Sequence, residues 1–157
     1  MNTITWFKNY LQELQNTIEA PENILGINSN RVVLDDSEVT KYLSELSELD
    51  NHLLIGVMPS FNSTGTDADS HQLKGYTQLL LLKKTSYSSN NYDDYIAIFE
   101  DAFEIATLIV NKLIKDAQEG KCNFLSLLNT NTIQIVPVWN KSACNGWNIL
   151  FSFDKFI

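Results

Sequence analysis

The last third of the chain constrains the fold most, because a long helical segment is followed there by two β-rich segments. Tyr92–Gln118 repeats its apolar residues about every 3.6 positions, which predicts a helix. Trp147–Asp154 alternates apolar and polar residues, as a half-buried strand does, and Thr132–Trp139 has the same β-rich composition. The polar segment Asn140–Gly146 between them predicts a turn. The hairpin residues expected on one buried face are Trp147, Ile149, Phe151 and Phe153.

Two further helices are predicted in the first fifty residues. Thr3–Ala20 carries apolar residues at spacings of three and four, and Pro21 is expected to end this helix. Asp35–Glu38 supplies capping residues for a short helix that ends near Leu49. The chain therefore has helical segments both before and after its central part.

The central part of the chain contains several candidate strands. These are Ile24–Ile27, Arg31–Leu34, His52–Met58 and Leu73–Lys84. Asn28-Ser29-Asn30 predicts a turn between the first two, and Pro59 is expected to end the third. Leu79–Leu82 has leucines at both parities, which favours burial on both faces or a central position in the sheet. The predicted fold is a single α+β domain over residues 1–157, with a mixed, mainly antiparallel sheet packed by the N-terminal and long helices.

Pro59–Gln72 is predicted to be a long polar loop, and loops of this length are usually functional or disordered. Asp67, Asp69 and His71 in it could ligate a metal. However, the loop lacks the glycine and closing glutamate of a calcium-binding EF-hand, and one histidine is too few for zinc. We therefore interpret it as a solvated loop and expect no metal site. Because no glycine-rich phosphate-binding motif is present, no cofactor is expected either.

The sequence contains no catalytic signature, so the protein is predicted not to be an enzyme. Neither Cys122 nor Cys144 has a histidine nearby in sequence, and both are interpreted as free thiols, although a spatial Cys–His pair stays open. Asp93 and Asp94 lie where carboxylates stabilise the start of a helix. Three other acidic residues of this helix are interpreted as a solvated face: Glu100, Asp101 and Glu104.

Composition argues against several classes of partner. The net charge is −8 and Arg31 is the only arginine, whereas phosphate binding depends on Lys and Arg, so direct nucleic-acid binding is not expected. No apolar run approaches the ~20 residues that span a bilayer. The first residues show no secretory signal, which leaves a cytoplasmic location open as an alternative.

The long helix has more apolar surface than one core contact requires. Its wide stripe comprises Tyr92, Tyr95, Ile96, Phe99, Phe103, Ala106, Ile109, Val110, Leu113 and Ala117. Ile98, Ile105 and Leu108 are predicted to lie on the flank of this stripe. Either the helix lies in a deep cleft of the fold, or this flank meets another subunit.

The order of elements, above all the long helix followed by Thr132–Trp139 and Trp147–Asp154, resembles that of tail terminator and tail-completion proteins of tailed bacteriophages. This resemblance implies a non-enzymatic subunit that forms a homo-oligomeric ring, joins the tail tube to the neck and contacts other tail or neck proteins. It implies a location in the virion, after assembly in the host cytoplasm. The residues predicted to form its interfaces are Ile98, Ile105, Leu108, Asp67, Asp69 and His71.

Two other functions remain open at the level of sequence. One is a small acidic protein-binding or chaperone-like module that holds a peptide with the Pro59–Gln72 loop and the hairpin edge. The other is a hydrolase that uses His71 with Asp67 or Asp69. A ring subunit should show a defined stoichiometry and a contact well above ~1,000 Å², whereas a binding module should be monomeric or dimeric.

Overall fold

A computed structural model of the chain describes residues 3–47, 51–63, 72–86, 90–120 and 128–156. The elements are α1 (Thr3–Thr17), β1 (Ile27–Val33), α2 (Asp36–Ser44), β2 (His52–Ser63), β3 (Gln72–Lys84), α3 (Tyr92–Glu119), β4 (Leu128–Lys141) and β5 (Cys144–Phe156). The strands form one sheet in the order β1-β2-β3-β5-β4, in which β1 pairs with β2 in parallel and all other pairs are antiparallel. The predicted α+β fold with a mixed, mainly antiparallel sheet is confirmed.

The sheet is centred on β3, as its sequence predicted. All four residues of Leu79–Leu82 are buried, which requires packed layers on both faces of the sheet. On one face, α1 and α3 cover the larger core. On the other face, Val39 and Leu43 of α2 pack on a smaller core, whose sheet residues are Val33, Leu53, Ile55, Leu80, Leu82 and Cys144. Within the described residues, no helix is long and apolar enough to cross a membrane.

The C-terminal hairpin faces the larger core with the residues expected from its alternation. Ile149, Phe151 and Phe153 are 0%, 4% and 1% exposed. Trp147 is half-buried, and its indole Nε1 donates a hydrogen bond to the carbonyl oxygen of Phe99 at 2.8 Å. The buried face predicted for β5 is therefore confirmed. The Trp147 indole also joins this strand to α3.

The hairpin turn is tighter than predicted. It consists of Ser142 and Ala143, both with positive φ (49° and 60°), so the flanking strands include most of the segment that was expected to be a turn. Two-residue turns of this hand match the twist of paired strands. The polar residues next to this turn stabilise a bulge in β4. The Asn145 side-chain Oδ1 accepts a hydrogen bond from the backbone N–H of Asn140 at 2.7 Å.

A polar network fastens α1 to α3 beside the larger core. The Tyr10 hydroxyl donates to Asp116 Oδ2 at 2.8 Å, and both side chains are buried. Lys112 Nζ lies 3.0 Å from the same oxygen and 3.2 Å from Glu13 Oε1 on α1. Burial alone would lower the pKa of Lys112, but its hydrogen bonds to Asp116 and Glu13 outweigh that effect and raise it. The lysine is therefore held as a cation between two carboxylates.

The turn predicted at Asn28-Ser29-Asn30 is wrong, because these residues lie inside the single strand β1. A register irregularity between Ile27 and Ser29 accommodates them at this edge of the sheet. The Asn30 side-chain Nδ2 donates to the Oε1 atoms of Gln12 and Gln15 on α1. Hydrogen bonds to a neighbouring helix satisfy the asparagine, so its local turn preference is overridden.

The strand end predicted at Pro59 is also wrong, since β2 continues to Ser63. The register shifts between Val57 and Ser60, and such a bulge accommodates a proline, which cannot donate to a strand ladder. Residues 59–63 of the predicted irregular segment Pro59–Gln72 therefore lie in β2, and Gln72 begins β3. Residues 64–71 of this segment, including Asp67, Asp69 and His71, lie outside the described residues. Helix α1 ends at Thr17, three residues before its predicted end, and α2 ends at Ser44.

Candidate functional site

The surplus apolar surface of α3 lies on a different side from the one predicted. Ile105 is fully buried in the larger core, so its assignment to an outward flank is wrong. Ile98 and Leu108 are half-buried, and Leu108 lines an open cleft together with Thr17 and Ile18 at the end of α1. The exposed apolar residues of α3 are instead Tyr92, Ile96 and Phe103, which are 76%, 41% and 39% exposed.

These three side chains and Trp139 of β4 form an exposed surface that we call the aromatic ridge (Tyr92, Ile96, Phe103 and Trp139). The indole of Trp139 is 57% exposed. Its ring meets the Tyr95 ring edge-on, with centroids 5.0 Å apart, and stacks on the Phe99 ring at 6.1 Å. Phe103 packs against Trp147 at 4.9 Å. The ridge is therefore the outer layer of an aromatic cluster whose inner layer joins the hairpin to α3.

Helix geometry explains why the three α3 residues of the aromatic ridge lie in one row. Asn91 caps α3 by accepting from the backbone N–H of Asp94 at 3.0 Å, while the Asp94 carboxylate accepts from the Asn91 N–H at 2.9 Å. This capping box sets the first residue of the helix. With about 3.6 residues per turn, Tyr92, Ile96 and Phe103 then lie on one side, in the order i, i+4, i+11.

An acidic row runs beside the ridge on α3. Asp93, Glu100 and Glu104 are exposed, and their spacing of i, i+7 and i+11 also aligns them along one side of the helix, beginning one residue after Tyr92. No Lys or Arg occurs between Lys84 and Lys112, whereas this segment contains five acidic residues: Asp93, Asp94, Glu100, Asp101 and Glu104. The ridge is therefore an apolar surface with a purely anionic border along the helix.

The ridge adjoins one of two open sheet edges. Among the described residues, no strand pairs with the outer side of β4 or of β1. Strand β4 carries no charged side chain before Lys141, and Pro137 lies in its middle, where a proline is tolerated because an edge needs fewer ladder donors. At the opposite edge, β1 is flanked by two exposed leucines, Leu25 (48%) and Leu34 (68%).

The described groups that could support nucleophilic chemistry lie apart. His52 precedes Leu53, which faces the smaller core containing Cys144, so strand alternation directs His52 to the other face. A His52–Cys144 pair is thereby excluded, while Cys122 and His71 lie outside the described residues. Burial raises the pKa of the Cys144 thiol to about 11, which keeps it protonated at neutral pH and unreactive.

His52 is held neutral. Its Nδ1 lies 2.7 Å from the carbonyl oxygen of Leu25, an acceptor only, so Nδ1 carries the proton. The other ring nitrogen, Nε2, is buried without a hydrogen-bond partner among the described residues. Burial lowers the pKa of His52, and the Leu25 hydrogen bond opposes that shift only in part. The geometry fits a structural histidine at the start of β2.

Two other features bear on ligand binding. The cleft between α1 and α3 has a volume of about 460 Å³ and includes Lys112 and Asp116, which already hydrogen-bond each other. In the described parts of the chain, no group of three or more His, Cys, Asp or Glu residues could hold a metal ion. The ridge is therefore the most distinctive candidate site.

The sequence contained part of the signal for this site. Tyr92, Ile96 and Phe103 belong to the wide apolar stripe that the sequence predicts, and the absence of basic residues around them is visible in the sequence. The sequence also predicts a strand at Trp139, but the exposure of this side chain depends on β4 being an edge, which follows only from the strand order. No protein family model matches the chain, and no significantly similar curated protein was found.

Proposed function

We propose that the chain is a structural assembly subunit that forms a homo-oligomeric ring, similar to the tail terminator and tail-completion proteins of tailed bacteriophages. In this role it joins the tail tube to the neck, contacts other tail or neck proteins and resides in the virion after assembly in the host cytoplasm. The polar segment with Asp67, Asp69 and His71 is assigned to contacts with the tube or neck.

The observation that carries this proposal is the position of the exposed large apolar side chains. Leu25 and Leu34 flank the β1 edge. Val136 (42% exposed) lies on β4, at the opposite edge of the sheet. Exposed apolar groups at two opposite edges favour a contact in which the β4 edge of one subunit meets the β1 edge of the next.

Such a contact is heterologous, because two different surfaces of the same chain meet. Repetition of a heterologous contact generates a closed ring when the rotation between subunits closes, and a filament when it does not. Pro137 and the bulges of β4 limit regular strand pairing along this edge, so side-chain packing is expected to supply most of the contact. Each contact should bury well above ~1,000 Å².

Native mass spectrometry of the purified chain tests the proposal, with 17.9 kDa as the monomer mass. We expect a single closed stoichiometry for the wild type. Leu34→Lys and Val136→Lys each place a charge at one of the two edges, where desolvation within the contact would be unfavourable. Each should yield folded monomers, because both side chains are exposed.

Tyr76→Lys is the matched control. Tyr76 is 43% exposed, close to the value for Val136, but it lies on β3 in the middle of the sheet. This variant should assemble as the wild type does. A wild type that stays monomeric with tail or neck proteins present, or edge variants that assemble normally, would refute the ring and favour a small acidic protein-binding module.

A further inference from the structure

We propose that the aromatic ridge and its acidic row form a docking site for a basic amphipathic helix of a different protein. The site lies on the outer side of α3 with Trp139 beside it, and it is separate from the sheet-edge contact proposed for the ring. The partner helix carries apolar residues on one face, with Lys or Arg beside them.

The apolar part of the site has the dimensions of a helix contact. Tyr92 and Phe103 are eleven residues apart on α3, which corresponds to about 16 Å along the helix axis, or about three turns. Trp139 widens this row on the side of β4. Amphipathic helices recognise such surfaces with anchors spaced at i, i+3 or i+4, and i+7. Three turns of a partner helix therefore match the length of the ridge.

Charge determines which helix is favoured. The acidic row places Asp93, Glu100 and Glu104 beside the apolar row, and no basic residue of α3 precedes Lys112. Lys or Arg residues at the border of a partner helix would pair with these carboxylates, and they could also lie over the exposed Trp139 and Tyr92 rings. An acidic helix, nucleic acid or an anionic membrane would be repelled.

The same charges disfavour a second copy of this chain as the occupant. Each copy has a net charge of −8, and packing two ridges together would oppose two acidic rows. The exposed cations of the β1 side do not form a basic surface, because Arg31 and Lys41 are accompanied by Asp35, Asp36 and Glu38. A basic segment of another protein therefore complements the ridge better than a second ridge or the β1 side of another copy does.

The probe is a labelled model helix of alternating Leu and Lys clusters, about fourteen residues or four turns long. A peptide with Glu in place of every Lys has the same apolar face and is the charge control. Fluorescence anisotropy measures the affinity of each peptide for the purified chain. We expect saturable one-to-one binding of the Lys peptide per subunit and at least about tenfold weaker binding of the Glu peptide.

Two double variants with equal net charge separate the acidic row from the overall charge. Glu100→Lys/Glu104→Lys changes the row, while Glu22→Lys/Glu45→Lys changes two exposed glutamates elsewhere. We expect the first to weaken binding of the Lys peptide about tenfold or more and the second to change it less than about threefold. Equal losses in both variants, or no binding of the Lys peptide by the wild type, would overturn the proposal.

A second pair of variants tests the apolar part. Trp139→Ala should weaken binding of the Lys peptide severalfold, whereas Tyr76→Ala, which removes an exposed ring from β3, should leave it unchanged. The mass of each complex is recorded as well. Loss of peptide binding with an unchanged oligomer supports the docking site alone, and an oligomer lost only in Leu34→Lys and Val136→Lys supports the ring alone. If Glu100→Lys/Glu104→Lys changes the oligomer instead of peptide binding, the ridge is a contact between copies and the inference is wrong.

Discussion

His52 shows how burial determines the role of a single side chain. One ring nitrogen is bonded to Leu25, the other is buried without a partner among the described residues, and the residue is only 2% exposed. A buried group of this kind costs ~1–3 kcal/mol when left unsatisfied, and far more when it must become charged. The folded state therefore retains the neutral ring, and protonation favours unfolding.

This leads to a prediction for the pH dependence of stability. Burial lowers the folded-state pKa of His52 below its ordinary value of 6.5, so the unfolded chain binds more protons as the pH falls. The stability contributed by the neutral ring is fully present above the unfolded pKa and is lost as the pH falls below it toward the folded pKa. Urea unfolding midpoints at about pH 7.5 and 5.5 measure the effect, because most carboxylates stay ionised in this window.

His52→Gln should be less stable than the wild type at the higher pH but should show a smaller decrease in midpoint between the two pH values. His71→Gln, which replaces the second histidine of the chain, is the comparison variant: a pH dependence that is reduced in His52→Gln but not in His71→Gln assigns the effect to His52. A wild type whose midpoint changes no more than that of His52→Gln over this window would contradict the assignment.

At the level of elements, two glycines in the sheet allow neighbouring groups to pack directly against the strand backbone. A Cβ on Gly56 of β2 would lie 2.7 Å from Leu11 Cδ1, so α1 packs directly on the backbone there. A Cβ on Gly75 of β3 would lie 2.2 Å from Phe153 Cζ. The ring of Phe153 occupies the space above Gly75 and meets the Phe61 ring edge-on at 5.7 Å.

Gly75→Ala is therefore expected to destabilise the fold by about 1–3 kcal/mol, because the buried Phe153 ring must leave a packed position. The smaller conformational entropy of the unfolded alanine chain offsets this by only about 0.4–1 kcal/mol. Chemical denaturation monitored by circular dichroism measures the difference. Gly26→Ala is the matched control, since the nearest atom to its Cβ, Ala20 Cβ, is 3.9 Å away. Equal stability of the two variants would show that the Phe153 ring adjusts without cost.

For the whole molecule, the distribution of charge and of exposed apolar groups is the main determinant of its contacts. Subunits with a net charge of −8 repel each other, while the apolar side chains at the sheet edges favour association. A basic partner at the aromatic ridge would be attracted by the same charge. Salt screens both the repulsion between copies of the chain and the attraction of a basic partner. It should therefore favour the first association and disfavour the second.

We therefore predict opposite salt dependences for the two associations. Between about 0.05 and 0.5 M NaCl, the proposed ring should become more stable because repulsion between subunits is screened, whereas binding of the Leu/Lys peptide should weaken. Analytical ultracentrifugation measures the first change and fluorescence anisotropy the second. Sodium sulfate at equal ionic strength is a useful comparison, since it should favour the apolar ring contact further. Ring dissociation on addition of NaCl would mean that ion pairs, rather than apolar packing, hold the subunits together.

The elements that the sequence determined are those with strong local periodicity. Helix α3 extends from Tyr92 to Glu119, one residue beyond its predicted end. The alternation of Trp147–Asp154 predicted the buried face of β5, and the four consecutive leucines predicted the central position of β3. In each case the local pattern and the global packing favour the same structure. Burial of one face requires the periods seen in α3 and β5, and burial of both faces requires the unbroken run of leucines in β3.

Tertiary structure decided the features for which the local preference and the global packing differ. Asn28-Ser29-Asn30 is part of a strand because α1 satisfies Asn30, and Pro59 is part of another because a bulge accommodates it. The wide apolar stripe of α3 is compatible with several orientations of the helix about its own axis. Only its packing against α1 and the sheet buried Ile105 and left Tyr92, Ile96 and Phe103 exposed beside Trp139. The exposed face of a helix depends on its neighbours in space, which the period of its own sequence does not specify.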